Sequence, residues 1–336
     1  MNHSIDSEES VKSLLIKFSA LQEEIGKVIV GQKTTIEELL CTLAAGGHCL
    51  LEGVPGLAKT LMIRTLADAV ALSFRRIQFT PDLMPSDIVG TEVLEEDHTT
   101  GKRFFKFNKG AIFANIVLAD EINRTPPKTQ AALLEAMQES SVTQAGTTYK
   151  LDRPFFVLAT QNPIEQAGTY PLPEAQLDRF LLFIRIGYPS ESEEIDILAG
   201  TTGSKKSKVA QVISGEELLQ IQALVRDVHI SREMIEYIAK IVRSTRPAST
   251  RIDDVSNWVS WGAGPRAGQS LVLASKALAL LRGRFSVTMN DIHQMAFPVL
   301  RHRVIVNFKA EAEGITSDKV TAALLEKIDK PKSPLA

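Results

Sequence analysis

The sequence predicts an α/β protein with a parallel five-stranded sheet flanked by helices, followed by a smaller all-α domain. Three observations carry that expectation. Apolar runs of strand length alternate with segments of helical periodicity up to about residue 190, as βαβ units require. One run ends in a Gly/Pro-rich loop, Gly53–Ala58, that opens directly into a helix. Strand character then stops near Pro189, and from Ser214 onward only helical spacing recurs.

The elements follow in order. Leu14, Leu15, Phe18, Leu21 and Ile25 recur at helical spacing within a helical region of about 10–45. Val28-Ile29-Val30-Gly31-Gln32 interrupts it and Gly46-Gly47 ends it. Five strands are expected at Cys49–Leu51, Phe74–Phe79, Ile112–Ala119, Phe155–Thr160 and Leu181–Ile186, with helices at Lys59–Val70 and Lys128–Gln138. Two hairpins interrupt the pattern. One pairs Glu92–Leu94 with Arg103–Phe107 inside 90–110. The other spans Ser141–Leu151 and turns at Ala145-Gly146. Pro189 to about Lys208, rich in Ser, Glu, Gly and Lys, reads as a connection. Ser214-Gly215-Glu216-Glu217 is a capping box. Later helices are expected at Arg232–Arg243, Pro265–Arg282 and Asn290–His302, with Gly283 placed to end the second of these three. The expected division is an α/β core over 1–190, a linker over 191–213 and a helical domain over 214–336.

A chain of 336 residues has room for two domains and a substantial core. The 44% apolar fraction is that of an ordinary globular protein, and a net charge of -2 argues against a strongly basic nucleic-acid-binding domain. Cys41 and Cys49 fit neither a CxxC redox pair nor a zinc site, and read as reduced, buried small hydrophobes. That usage, and an N-terminus without a basic-then-apolar leader, point to a cytoplasmic protein. The longest apolar run, Leu271–Leu281, is broken by Lys276 and too short to span a membrane. His48, His98, His229, His293 and His302 lack metal-ligand spacing and read as structural.

The strongest chemical signal is Gly53-Val54-Pro55-Gly56-Leu57-Ala58-Lys59-Thr60, placed between a strand and a helix. Glycines let backbone N–H groups converge on phosphate oxygens, and the helix N-terminus adds partial positive charge. Lys59 can reach the β- and γ-phosphates of ATP, and Thr60 offers a hydroxyl to Mg²⁺. The general pattern has Gly before the Lys. Here it is Ala58, whose methyl group is tolerable at negative φ. The bland alternative is a glycine-rich loop with an incidental Lys-Thr.

The second signal is Ile116-Val117-Leu118-Ala119-Asp120-Glu121, an apolar strand delivering two carboxylates at its C-terminal end, the edge where ligands bind in open α/β sheets. Asp120 would hold Mg²⁺ and Glu121 would activate the attacking water. A helix-capping Asp would account for only one of the two carboxylates.

With these motifs the chain resembles an AAA+ ATPase of the MoxR family, from about Val28 to about Val306. Gly-Val-Pro-Gly-Leu-Ala-Lys-Thr is how that family commonly writes its P-loop. Leu118–Arg124 resembles its Walker B segment and Ala159-Thr160-Gln161-Asn162-Pro163 its sensor 1. Ala175–Phe180 resembles its arginine-finger segment and Gly264-Pro265-Arg266-Ala267 its sensor 2. The resemblance implies a P-loop core with a helical lid, and a homo-oligomeric ring expected to be a hexamer. It assigns Val30, Gly31 and Gln32 to the adenine, Arg266 to the chain's own nucleotide and Arg179 to the neighbour's. Arg124 competes for the trans role.

Each of these positions also has its own physics. Asn162 should emerge at the same sheet edge as Asp120 and hold the attacking water or a γ-phosphate oxygen, with an Asn-Pro turn as the alternative. An arginine in cis or trans stabilises charge on the γ-phosphate, whereas Asp178–Arg179 alone could be a surface pair. The two hairpins match the family's helix-2 insert and pre-sensor hairpin, or are surface decoration. The family reading implies chaperone-like remodelling, maturation or metal insertion of partners bearing von Willebrand factor A domains. A chelatase-type motor, a nucleic-acid motor or loader and a non-hydrolysing switch are the competing functions.

Overall fold

The computed structural model describes residues 8–96, 98–99, 101–163, 168–201 and 208–331. The helices are α1 (Glu8–Gly26), α2 (Lys33–Ala44), α3 (Lys59–Ala69), α4 (Pro85–Val89), α5 (Pro127–Glu139), α6 (Glu174–Leu177), α7 (Glu191–Thr201), α8 (Gly215–Asp227), α9 (Arg232–Ser244), α10 (Asp253–Trp258), α11 (Pro265–Leu281), α12 (Met289–Leu300), α13 (Phe308–Ala312) and α14 (Ser317–Lys327). The strands are β1 (Cys49–Glu52), β2 (Phe74–Gln78), β3 (Gly90–Glu96), β4 (Arg103–Lys109), β5 (Ile116–Asp120), β6 (Ser141–Gln144), β7 (Thr147–Lys150), β8 (Phe156–Gln161), β9 (Leu182–Arg185), β10 (Val259–Trp261) and β11 (Ile305–Val306). Among the described residues no helix is long and apolar enough to cross a membrane.

The five expected strands form one parallel sheet in the order β2-β5-β8-β1-β9. The three inner strands are covered on both faces, which is why they read as unbroken apolar runs. Alternate side chains feed two cores. Leu51, Ile116 and Leu118 face one with α1 to α3, while Leu50, Val117 and Ala119 face another with α5. The first core runs on without a break into α8, α9, α11 and α12. Cys41 and Cys49 are both buried and free, as expected for small hydrophobes.

Three differences from expectation have local causes. The Ile112–Ala119 run pairs as a strand only from Ile116. Its first residues turn, and Asn115 links Ser73, ahead of β2, to Pro154, ahead of β8. The linker contains helix α7. Ser190 and Glu193 form a reciprocal cap there, with the Ser190 N–H and hydroxyl donating to the Glu193 carboxylate at 2.8 and 2.9 Å. Composition alone hid that Ser-x-x-Glu signature. The helical region also carries one short antiparallel pair, β10 with β11, which spacing could not announce because β11 has only two residues.

Edge strand β9 is closed by the helical domain. Arg303, buried after α12, donates to Asp178 Oδ1 (2.7 Å), to the carbonyls of Phe180 (2.7 Å) and Leu181 (3.2 Å) and to Ser270 Oγ (3.2 Å). Arg301 donates to the Phe183 carbonyl. These guanidinium groups satisfy acceptors that an edge strand would otherwise leave to solvent or to another chain. Burial lowers the pKa of Arg303, with the Asp178 carboxylate opposing it. Arg303→Ala would remove the donors to the Leu181 carbonyl and Ser270 and leave Asp178 with only the longer Arg266 contact at 3.7 Å. It is expected to cost about 3 kcal/mol or more, measured by urea unfolding.

Glu38, on α2 and facing Arg301 and Asp318, is the second buried charge at this junction. Burial pushes its carboxyl from 4.5 up to about 7, only partly offset by Arg301. A raised folded pKa means that the folded state holds the extra proton between these two values. Stability therefore declines as pH rises through that window, by up to about 1.4 kcal/mol per unit. Glu38→Gln is expected to flatten the decline between pH 5 and 7.5, read from urea midpoints against pH.

Candidate nucleotide site

The C-terminal edge of the sheet gathers the phosphate loop, the two carboxylates and the sensor amide. Gly53 to Ala58 connect β1 to α3. Gly53 packs on the end of β9, where a Cβ would meet Ile186 at 3.1 Å. Gly56 takes φ +88° with open space around it, and Ala58 takes φ +53° at the helix N-cap. The condition under which a methyl group is easily tolerated there, a negative φ, is not met: the Ala58 methyl sits in the left-handed region. Left-handed residues of this kind, at a strain of about 1 kcal/mol, are the conformation from which anion-binding nests of N–H groups are built. Lys59 lies across this nest, its ammonium donating to the Gly53 carbonyl at 2.6 Å. Partial burial lowers the Lys59 pKa, with Asp120 and Glu121 opposing. The open cradle, the strained turn and an inward lysine fit a polyphosphate.

Asp120 and Glu121 leave the end of β5 into a polar network. Thr160 on β8 receives the Glu121 N–H (2.9 Å) and donates its hydroxyl to Asp120 Oδ1 (2.6 Å). Arg76 on β2 donates through Nε and Nη2 to Asp120 Oδ2 (3.0 and 2.6 Å). Gln78, at the end of β2, donates to Glu121 Oε2 at 3.0 Å. Glu121 itself is left-handed at φ 59°. Parallel register puts Gln78 opposite Asp120, so the contact follows from strand order. Asn162 is buried one residue beyond β8, whose Gln161 pairs with Glu52 just ahead of the phosphate loop. Thr60 opens α3 one residue beyond Lys59, so a divalent cation near Asp120 would find a hydroxyl within the same edge.

Sequence reasoning named Asp120, Glu121 and Asn162 but missed Arg76 and Gln78, and quoted Thr160 without giving it a role. The exposed Arg75-Arg76 pair inside an otherwise strand-like run was the available signal, since an edge strand with no function there has no need of a buried-side partner. Val30, Gly31 and Gln32 lie beside the chain leaving β9. Gln32 Nε2 donates to the Gly187 carbonyl at 3.0 Å, and the Glu193 carboxylate lies against Gly31, which takes a left-handed φ of +68°. They therefore border the same edge.

The arginines divide differently from expectation. Arg124 pairs with Glu121 at 3.1 Å, inside the chain's own site. Arg179 and Arg266 do not reach that edge. Leu181 N–H donates to the His48 carbonyl, ahead of β1, so Asp178 and Arg179 stand at the N-terminal end of β9. Arg179 donates to the Leu134 carbonyl at 2.8 Å, and Arg266 lies 3.7 Å from Asp178. Both arginines thus sit about one strand length, roughly 13 Å, from the phosphate loop. Arg266 is anchored on Asp178, on the side away from the loop, rather than beside the chain's own phosphate loop.

Relieving the left-handed alanine gives a direct test of the loop geometry. Ala58→Gly is expected to raise stability by about 1 kcal/mol, read from urea unfolding, without loss of nucleotide affinity. A loss of stability would mean that Ala58 does not adopt positive φ.

Comparison with known proteins agrees with the fold and the family resemblance. Residues 48–182 match the ATPase family associated with various cellular activities (AAA), and residues 253–324 match the AAA lid domain. Chaperone MoxR1 of Mycobacterium tuberculosis is 43% identical over 310 residues, covering 92% of this chain and 81% of that protein. Bacillus subtilis YeaC is 44% identical over 310 residues, covering 92% and 93%. MoxR of Paracoccus denitrificans is 28% identical over 322 residues, covering 91% and 94%. A crystal structure from Cytophaga hutchinsonii, provisionally described as an ATPase, superposes with a TM-score of 0.89 at 44% identity, covering 97% of this chain and 98% of that one. The chain belongs to the MoxR family of AAA+ ATPases.

Proposed function

We propose that this chain is a Mg²⁺-dependent ATP hydrolase that turns over only at the junction between neighbouring copies, in a ring expected to be hexameric, and remodels or matures partner proteins. The observation that carries the reading is the split of the machinery between two sides of the sheet. The phosphate loop, Asp120, Glu121 and Asn162 share one edge, while Arg179 and Arg266 stand at the other. A head-to-tail contact between copies unites the two halves, and such contacts close into rings.

Within the site, the nest and Lys59 would hold the β- and γ-phosphates. Thr60 and Asp120 would hold Mg²⁺, which neutralises phosphate charge when bound. Val30, Gly31 and Gln32 would border the adenine. Glu121, held by Gln78 and Arg124, would take a proton from the attacking water positioned by Asn162. The neighbour's Arg179 and Arg266 would stabilise charge on the γ-phosphoryl group. Arg76 occupies Asp120 Oδ2, so cation binding there requires Arg76 to yield or a water to intervene.

The β3–β4 hairpin supports a role in acting on other proteins. Leu94 stands opposite Phe105, and both side chains are more than half exposed. Such exposed apolar side chains near the end of a hairpin form a contact surface for a partner chain. A von Willebrand factor A domain protein is the partner class that the family resemblance implies. Among the described residues no feature favours the chelatase or nucleic-acid readings.

Specific hydrolysis of Mg²⁺-ATP should rise with protein concentration and fall by 100-fold or more, about 3 kcal/mol, in Arg179→Ala with binding intact. Lys59→Ala should weaken binding of a fluorescent ATP analogue, and Glu121→Gln should bind normally while losing hydrolysis. Full turnover by the isolated monomer would contradict the proposal.

A further inference from the structure

Helix α7 turns an apolar stripe to solvent. Ile195 and Leu198 are 60% and 58% exposed, and Ala199 lies beside them at helical spacing. Glu191 and Glu194 flank the stripe. The helix starts at the nucleotide edge, where Glu193 closes over Gly31. An apolar stripe rimmed by acids on an ordered helix marks a docking face.

The helical domain holds a groove of the opposite character. Between α9 and α11 lies a cleft of about 780 Å³ with Ile235, Val242 and Leu273 along its floor and Arg226, Arg243 and Arg246 around it. Its lining includes Pro265, the first residue of the helix that carries Arg266. The groove is thus continuous with the face that the proposed junction presents to its neighbour.

We propose that α7 of one copy seats in the α9–α11 groove of the adjacent copy. The inference rests on the shared-site reading above. If Arg266 approaches the neighbour's nucleotide, the groove that Pro265 lines arrives beside that neighbour's 187–193 segment, where its α7 begins. Apolar stripe then meets apolar floor, and Glu191 and Glu194 meet the arginines. The contact would report assembly to the first turn of α11, and so to Arg266.

The test uses the full chain carrying Glu121→Gln, with Mg²⁺-ATP, and reads the midpoint concentration of assembly by sedimentation velocity. Ile195→Asp and Ile235→Glu are each expected to raise that midpoint about tenfold or more. Glu194→Arg and Arg243→Glu should each raise it, and their combination should recover part of the loss. A second readout mixes chains carrying Leu198→Cys with chains carrying Leu273→Cys, and expects a crosslinked dimer on mild oxidation. Midpoints unchanged by Ile195→Asp and Ile235→Glu, or crosslinking only when both cysteines are in one chain, would overturn the docking. In that event the loss of hydrolysis in Arg179→Ala still reports separately on the shared site. A chain that never assembles would remove both.

Discussion

The buried Arg303 guanidinium is the contact on which the placement of the functional groups depends. It joins the end of α12 to Asp178, Phe180 and Leu181, the residues leading into edge strand β9. Strand β9 in turn pairs with β1, whose far end becomes the phosphate loop. With Arg301 and the apolar core that runs from the sheet into the helical domain, this side chain holds that domain against β9 and keeps the Arg179 and Arg266 side about a strand length from the loop. A charge this buried is costly in isolation. Here its donors meet carbonyls that an edge strand leaves open, so desolvation is matched by hydrogen bonds that neither partner could make alone.

The nucleotide edge works by a different economy of contacts. Thr160 holds both acidic residues at once, through the Glu121 N–H and the Asp120 carboxylate. Arg76 and Gln78 approach from β2, on the other side of β5. Strained backbone at Ala58 and Glu121 gives the two halves of the edge their shape. Preorganised dipoles and charges of this kind act where charge develops during phosphoryl transfer. Arg179 and Arg266 are held away from this edge, by the Leu134 carbonyl and by Asp178.

Much of this was legible in the sequence, and the reasons are physical. The inner strands were readable because burial on both faces demands unbroken apolar runs such as Ile116–Ala119. The loop and the two carboxylates were readable because phosphate chemistry needs those residue types next to a strand end. What spacing could not show was which sheet edge each arginine joins. That depends on how the helical domain packs, through Arg303 and Arg301, and no local pattern encodes it. The φ of Ala58 was not legible either, since loop curvature depends on packing against residues distant in sequence, as where Gly53 meets Ile186. Helix α7 was missed because serine and glutamate dominate its first turn, where they serve as caps.

The central claim is that one active site is built from two copies. Complementation tests it most directly: Glu121→Gln chains and Arg179→Ala chains are each assayed alone and then mixed, with Mg²⁺-ATP hydrolysis measured at a concentration that favours assembly. The account predicts little activity in either alone and clear recovery in the mixture, where an intact Glu121 from one copy meets an intact Arg179 from the next. If the mixture stays as inactive as its components while the two chains demonstrably co-assemble, Arg179 serves its own nucleotide or none, and the shared-site account is contradicted.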